Sequence, residues 1–166
     1  MSRTAIIFGS TTGNTESIAQ TIAQEIGADL LNAADSPDKK IAEYDNLILG
    51  TSTWGIGDLQ DDWDSFLPLL VKADLNGKKI ALFALGDSDG YGDSFVDGMG
   101  VIYEALSGKG CTVVGAVETE GYSFSESKAV VNGTFVGLPL DEDNESHLTK
   151  DRLAKWLAEI QLSFNK

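Results

Sequence analysis

Thr4-Ala-Ile-Ile-Phe8 runs directly into Gly9-Ser10-Thr11-Thr12-Gly13-Asn14-Thr15, and this junction decides the fold. The first stretch is apolar on both of its alternating faces, as in a strand covered from two sides. Beyond the turn, Ile18, Ala19, Ile22, Ala23 and Ile26 recur at helical spacing over residues 15–26, with Asn14 and Thr15 placed to cap the start. A doubly covered strand feeding an amphipathic helix is the opening of a parallel α/β sheet. The turn itself offers glycines for a tight bend, four hydroxyls, and the N–H groups of a helix N-terminus. It holds no Lys or Arg, and it matches neither Gly-x-x-x-x-Gly-Lys-Ser/Thr nor Gly-x-Gly-x-x-Gly. Neutral donors of this kind suit one monoester phosphate; the competing reading is a solvated strand-to-helix turn.

The same alternation continues outward. Residues 28–32 read as a weak second strand and Leu47-Ile48-Leu49-Gly50 as a third. Trp63, Phe66, Leu67 and Leu70 share a helical face over about 61–72, which Pro68 is expected to kink or shorten. Ile80 to Leu85 forms a fourth strand, Phe95, Met99, Ile102 and Leu106 mark a helix ended by Gly108 or Gly110, and Thr112 to Val117 is the fifth strand. A last helix over about 148–162 turns Leu153, Trp156, Leu157 and Ile160 inward. Between them, about 117–140 has no helical period and reads as an insertion within a single domain, 1–166. There Tyr122-Ser-Phe and Val130 to Val136 look like short strands, the latter turning at Asn132-Gly133.

In an open parallel sheet, ligands lie beyond the carboxyl ends of the strands. Two further loops leave such ends. Thr51-Ser52-Thr53-Trp54-Gly55-Ile56-Gly57-Asp58 carries a tryptophan among glycines, and Gly86-Asp87-Ser88-Asp89-Gly90-Tyr91-Gly92-Asp93-Ser94 carries a tyrosine. Two aromatics on strand ends beside a phosphate-binding turn outline a flat ring above a phosphate tail. Trp54 as a plain loop anchor is the alternative. A metal site among the aspartates is disfavoured, since no histidine joins them.

The chain has 166 residues, 42% of them hydrophobic and 23% charged, which is globular composition. Its net charge of -14 and pI near 4.2 disfavour nucleic acid and anionic membranes and favour basic patches on protein partners. The one cysteine, Cys111, excludes an internal disulfide and reads as a core thiol. His147 lies in a polar run at a helix start, and Trp63 and Trp156 lie on apolar helical faces, so all three read as structural. The apolar run from Ala5 is too short for a signal peptide and no later stretch approaches a membrane span, which points to the cytoplasm.

Gly9-Ser-Thr-Thr-Gly-Asn-Thr-Glu16, Thr53-Trp-Gly with Leu59-Gln-Asp-Asp-Trp63, and Gly86-Asp with Tyr91 and Phe95, in this order and nearly end to end, resemble the flavodoxin family. Phe135-Val-Gly-Leu-Pro-Leu-Asp-Glu-Asp-Asn144 resembles the extra loop and return strand of its long-chain subgroup. The resemblance implies a doubly wound five-stranded parallel sheet in order 2-1-3-4-5, with an insertion in the last strand region and one non-covalent FMN. It implies Ser10, Thr11, Thr12, Gly13, Asn14 and Thr15 at the phosphate and Trp54 and Tyr91 flanking the isoalloxazine. Thr53, Gly55, Ile56, Gly57, Gly86, Asp87 and Ser94 belong to the same cofactor set, with Asp143 near the ribose end. Ser88 departs from the family's frequent Gln, and Ser94 from its common Asn.

The implied function is low-potential one-electron transfer, on the semiquinone/hydroquinone couple, between a reductase and acceptor proteins, by a monomer with no catalytic or metal-ligating residue. Asp58, Asp61, Asp62, Asp87, Asp89 and Asp93 are expected to disfavour the anionic reduced flavin. Gly55 is the residue expected to let the Gly55–Ile56 peptide rotate and offer a carbonyl to the ring. The main rival is an FMN-dependent NAD(P)H or quinone reductase, which would often add a basic residue for the nicotinamide phosphate; no basic cluster lies near these loops. A phosphoacceptor signalling domain would need paired acids after the first strand and a lysine after the fifth, where Gly9-Ser10 and Glu118 stand instead.

Overall fold

A computed structural model describes residues 3–9, 13–54 and 58–165, with only the backbone of Trp54 and Asp58. In chain order the elements are β1 (Thr4–Phe8), α1 (Asn14–Ile26), β2 (Asp29–Asn32), two 3-10 segments (Ala33–Asp35 and Pro37–Glu43), β3 (Asn46–Trp54), β4 (Asp58–Leu59), α2 (Asp61–Lys72) and β5 (Lys79–Leu85). They continue with α3 (Asp97–Ala105), β6 (Thr112–Val114), β7 (Val117–Glu118), β8 (Val130–Val131), β9 (Thr134–Phe135), β10 (Leu138–Leu140) and α4 (Ser146–Ser163).

Alternation along the strands sorts their side chains onto two buried faces. Ile7, Leu49 and Leu82 join Trp63, Phe66, Met99 and Ile102 on the side of α2 and α3. Ile6, Ile48 and Phe83 join Ile22, Leu153, Trp156 and Ile160 on the side of α1 and α4. The main sheet runs β2-β1-β3-β5, all parallel, and the place of the fifth strand is shared. β6 pairs with Lys79–Ala81 at the start of β5, and β10 pairs with Phe83–Leu85 at its end. The expected order 2-1-3-4-5 therefore holds, with the last strand cut in two by the insertion.

Inside the insertion, β7, β9 and β8 form a separate antiparallel sheet. Asn132 and Gly133 have φ of 54° and 83°, the two positive values a two-residue type I′ hairpin requires. Tyr122 to Phe124, expected as a strand, joins no strand among the described residues; the rings instead pack on Phe95 and Phe135. The fifth strand stops at Val114, three residues earlier than expected, because Val117 turns to pair with Phe135.

Pro68 neither shortens nor ends α2. An interior proline costs about 3 kcal/mol, whereas burying a large apolar side chain contributes ~1.5–3 kcal/mol. Trp63, Phe66 and Leu70 are each fully buried from this helix, so packing wins. Pro68 and Asp64, whose carbonyl loses its helical donor, both lie on the exposed face, where water can reach them. Trp63 is anchored further by its indole N–H, which donates to the Gly50 carbonyl at 2.7 Å.

Candidate functional site

The carboxyl ends of β3 and β5 and the start of α1 open on a cleft of about 310 Å³. Its floor is the sheet edge at Ser52, Thr53 and Leu85; one end is the start of α1 at Asn14 and Thr15. Gly86, Asp87, Tyr91 and Ser94 form one wall with Phe95 and Val96, and Glu142 and Asp143 form the rim. Of the cofactor residues expected from sequence, Asn14, Thr15, Thr53, Gly86, Asp87, Tyr91, Ser94 and Asp143 thus meet in one place. Gly13 adjoins them as the N-cap of α1, with φ of 94°. Ser10, Thr11, Thr12, Gly55, Ile56 and Gly57 lie outside the described residues, as does the side chain of Trp54 at the end of β3.

β3 continues four residues past its expected end at Gly50. Parallel pairing extends to Ser52↔Leu85, after which Thr53 and Trp54 pair antiparallel with Leu59 and Asp58. Thr53 is tied to the first turn of α3, its hydroxyl accepting the N–H of Gly98 at 3.0 Å. The α1 N-terminus opens on the cleft, and its first-turn N–H groups have no acceptors within the helix by construction. A helix end of this kind favours an anion.

Two side chains on the wall have capacity left for a ligand. Tyr91 is 48% exposed at the cleft mouth, so its ring is open to a flat partner. Ser94 is only 3% exposed, and its Oγ has no hydrogen-bond partner. A buried unpaired hydroxyl costs about 1–3 kcal/mol, and a polar atom of a ligand in the cleft would satisfy it.

Sequence reading missed several wall residues. α3 begins at Asp97, not at Phe95, so Phe95 and Val96 precede the helix and face the cleft. Val96 has φ of 49°, a left-handed conformation that a β-branched residue adopts only when its surroundings impose it. The insertion supplies that constraint: Asp97 Oδ1 accepts the Lys128 N–H at 2.7 Å, and Phe95 O accepts from the Ser127 hydroxyl. No local pattern marks such a position. Ser52, Leu85 and Glu142 were also missed, although their places at strand ends or beside Asp143 were a usable signal.

The cleft is acidic. Among its described lining residues are Asp87, Glu142 and Asp143, and no Lys, Arg or His. Partial burial, then repulsion from Asp87, Asp141 and Glu142, holds the Asp143 carboxyl above the usual carboxylate range. Of the six aspartates expected to act on the ring, Asp87 alone lines the cleft among the described side chains. Asp61, Asp89 and Asp93 are exposed to solvent, which screens them. Ser88 stands outside the cleft and donates to Asp141 through its N–H at 3.0 Å and through its hydroxyl.

A family model described as Flavodoxin matches residues 6–156. The chain is 45% identical over 165 residues to a flavodoxin of Synechocystis sp., covering 97% of each chain. It is 43% identical over 164 residues to flavodoxin 1 of Escherichia coli (strain K12), covering 96% of this chain and 93% of that one. Among solved structures it resembles Fusobacterium nucleatum flavodoxin bound to flavin mononucleotide, with a TM-score of 0.93, 32% identity, and coverage of 99% of this chain and 100% of that one.

Proposed function

The chain belongs to the flavodoxin family, and we propose that its cleft holds one non-covalent FMN with which it carries single electrons between redox proteins. It is an electron-transfer protein rather than an enzyme. The observation that carries this reading is the junction of the α1 N-terminus, the half-open Tyr91 ring and the unpaired Ser94 hydroxyl in one cleft whose described lining residues include no cation. FMN, when bound, supplies the redox chemistry; the chain binds, orients and shields it.

Ser10, Thr11, Thr12, Gly13, Asn14 and Thr15, whose donors are neutral, would hold the phosphate. Trp54 and Tyr91 would flank the ring. Thr53, Gly55, Ile56, Gly57, Gly86 and Asp87 would hold its polar edges, with Ser94 Oγ as a donor and Asp143 toward the ribose end. Groups for bond-making chemistry lie elsewhere: Cys111 packs against the core with its thiol pKa pushed up by burial, and His147 is exposed at the start of α4.

The insertion supports assignment to the long-chain subgroup. A net charge of -14 favours basic patches on the reductase and acceptors, with association that slows as salt rises. We assign the protein to the cytoplasm as a monomer; among the described residues no helix is long and apolar enough to cross a membrane.

Stepwise reduction of the purified chain tests the reading. One FMN released per chain, a coloured one-electron stage, and reduction by NADPH only after a reductase is added are expected. Rapid reduction by NADPH alone would favour the enzyme instead.

A further inference from the structure

Asp141 follows β10 with its side chain fully buried, and among the described residues no cation pairs with it. Neutral donors surround it. Ser88 gives its N–H at 3.0 Å and its hydroxyl; Asn144 gives its N–H at 3.0 Å and its amide at 2.9 and 3.1 Å. Burial would push the Asp141 pKa up, but these hydrogen bonds outweigh it and hold the carboxyl below the usual range.

The network continues into the cleft. The Asn144 amide also reaches Asp87 Oδ1 at 2.8 Å. That oxygen accepts Asp89 N–H at 3.1 Å and Gly90 N–H at 2.7 Å, closing the turn that ends in Tyr91. Tyr91 N–H in turn donates to Asp87 O at 2.9 Å. Asp87 and Tyr91 line one wall of the cleft, while Glu142 and Asp143, between Asp141 and Asn144, form its rim.

We propose that Asp141 is a positioning residue for the cofactor: through Ser88 and Asn144 it locks the Tyr91 turn to the Glu142–Asp143 rim and so sets the spacing of the two sides of the cleft. A buried carboxylate suits this task, because one residue accepts from both loops at once and leaves no donor unpaired. Asparagine in its place would turn an amide N–H toward other donors.

The inference rests on the FMN reading, and the test separates the two. FMN is titrated into apoprotein of the parent, Asp141→Asn, Ser88→Ala, the double variant, and Asp151→Asn as an exposed charge control on α4. Removing a negative charge beside a phosphate-bearing ligand should tighten binding on Coulomb grounds alone. Positioning requires the opposite sign: Asp141→Asn weakens FMN binding about tenfold and Ser88→Ala about threefold. The double variant stays within about twofold of Asp141→Asn, since one network is broken. The visible circular dichroism of bound flavin changes in Asp141→Asn and Ser88→Ala but not in Asp151→Asn. If Asp141→Asn does not fold, Ser88→Ala, which keeps the carboxylate, decides alone. Affinities equal to or tighter than the parent's in the folded variants overturn the inference while leaving the cofactor in place; failure of the parent to bind FMN overturns both.

Discussion

Asp97 Oδ1 accepts the backbone N–H of Lys128 at 2.7 Å, joining the first residue of α3 to the insertion. Asp97 is 4% exposed, and the preceding residues Phe95 and Val96 line the cleft. The Gly92 carbonyl is held from the same side by the N–H groups of Ser125 and Glu126, at 2.7 and 3.1 Å. The insertion therefore braces the wall of the site from behind.

Asp97→Ala should destabilise the protein by ~1–3 kcal/mol, because the buried Asp97 carboxylate and its charge-assisted bond to the Lys128 N–H are lost. Asp97→Asn keeps an oxygen in place and should lose less. Urea unfolding of both variants checks the order; equal stabilities would remove the brace.

Ser94→Ala should separate stability from binding. In the apoprotein it removes an unpaired buried hydroxyl, so stability should hold or rise by up to about 1 kcal/mol. With FMN it should weaken binding by ~0.5–1.5 kcal/mol, as expected for one lost hydrogen bond. Paired denaturation and fluorescence titrations read the two effects, and a destabilised apoprotein with unchanged FMN affinity would contradict the assignment.

Asp143 gives a pH signature. Its folded pKa is raised, first by burial and then by Asp87, Asp141 and Glu142, so the folded chain binds its proton more tightly than the unfolded chain does. The contribution of this group to stability therefore falls as pH rises from the ordinary aspartate value through the higher folded one. Asp143→Asn should abolish that fall and stabilise the protein at neutral pH by about a few tenths of a kcal/mol, since the group is largely exposed and screened. Chemical unfolding at pH 3 to 7, at low and high salt, should show the gain shrinking with salt.

Gly133→Val should cost about 1–2 kcal/mol, because φ of 83° is a conformation side chains resist. Neither residue of the hairpin tip lines the cleft, so FMN affinity should change by less than about twofold. Urea midpoints and flavin titration test the pair.

Local pattern carried much of this architecture. Doubly apolar runs marked β1, β3 and β5; helical spacing marked α1, α2 and α4; Asn132-Gly133 specified its own turn. The hydroxyl-rich turn and the glycine-flanked Trp54 and Tyr91 pointed to a phosphate-bearing planar ligand, and Asn14, Thr15, Thr53, Gly86 and Tyr91 do converge. These features were legible because strand and helix periods, turn chemistry and strand-end placement are properties of neighbouring residues.

The tertiary structure decided what depends on residues far apart in the chain. Nothing local to Thr112–Val114 shows that its strand is finished by Leu138–Leu140, because pairing with β5 sets both pieces. Ser88 meets Asp141 across 53 positions, Val96 is pressed into a left-handed conformation, and Ser94 is buried without a partner. Burial, strain and hydrogen-bond satisfaction are set by the whole packed neighbourhood, so they emerge only when the chain has closed on itself.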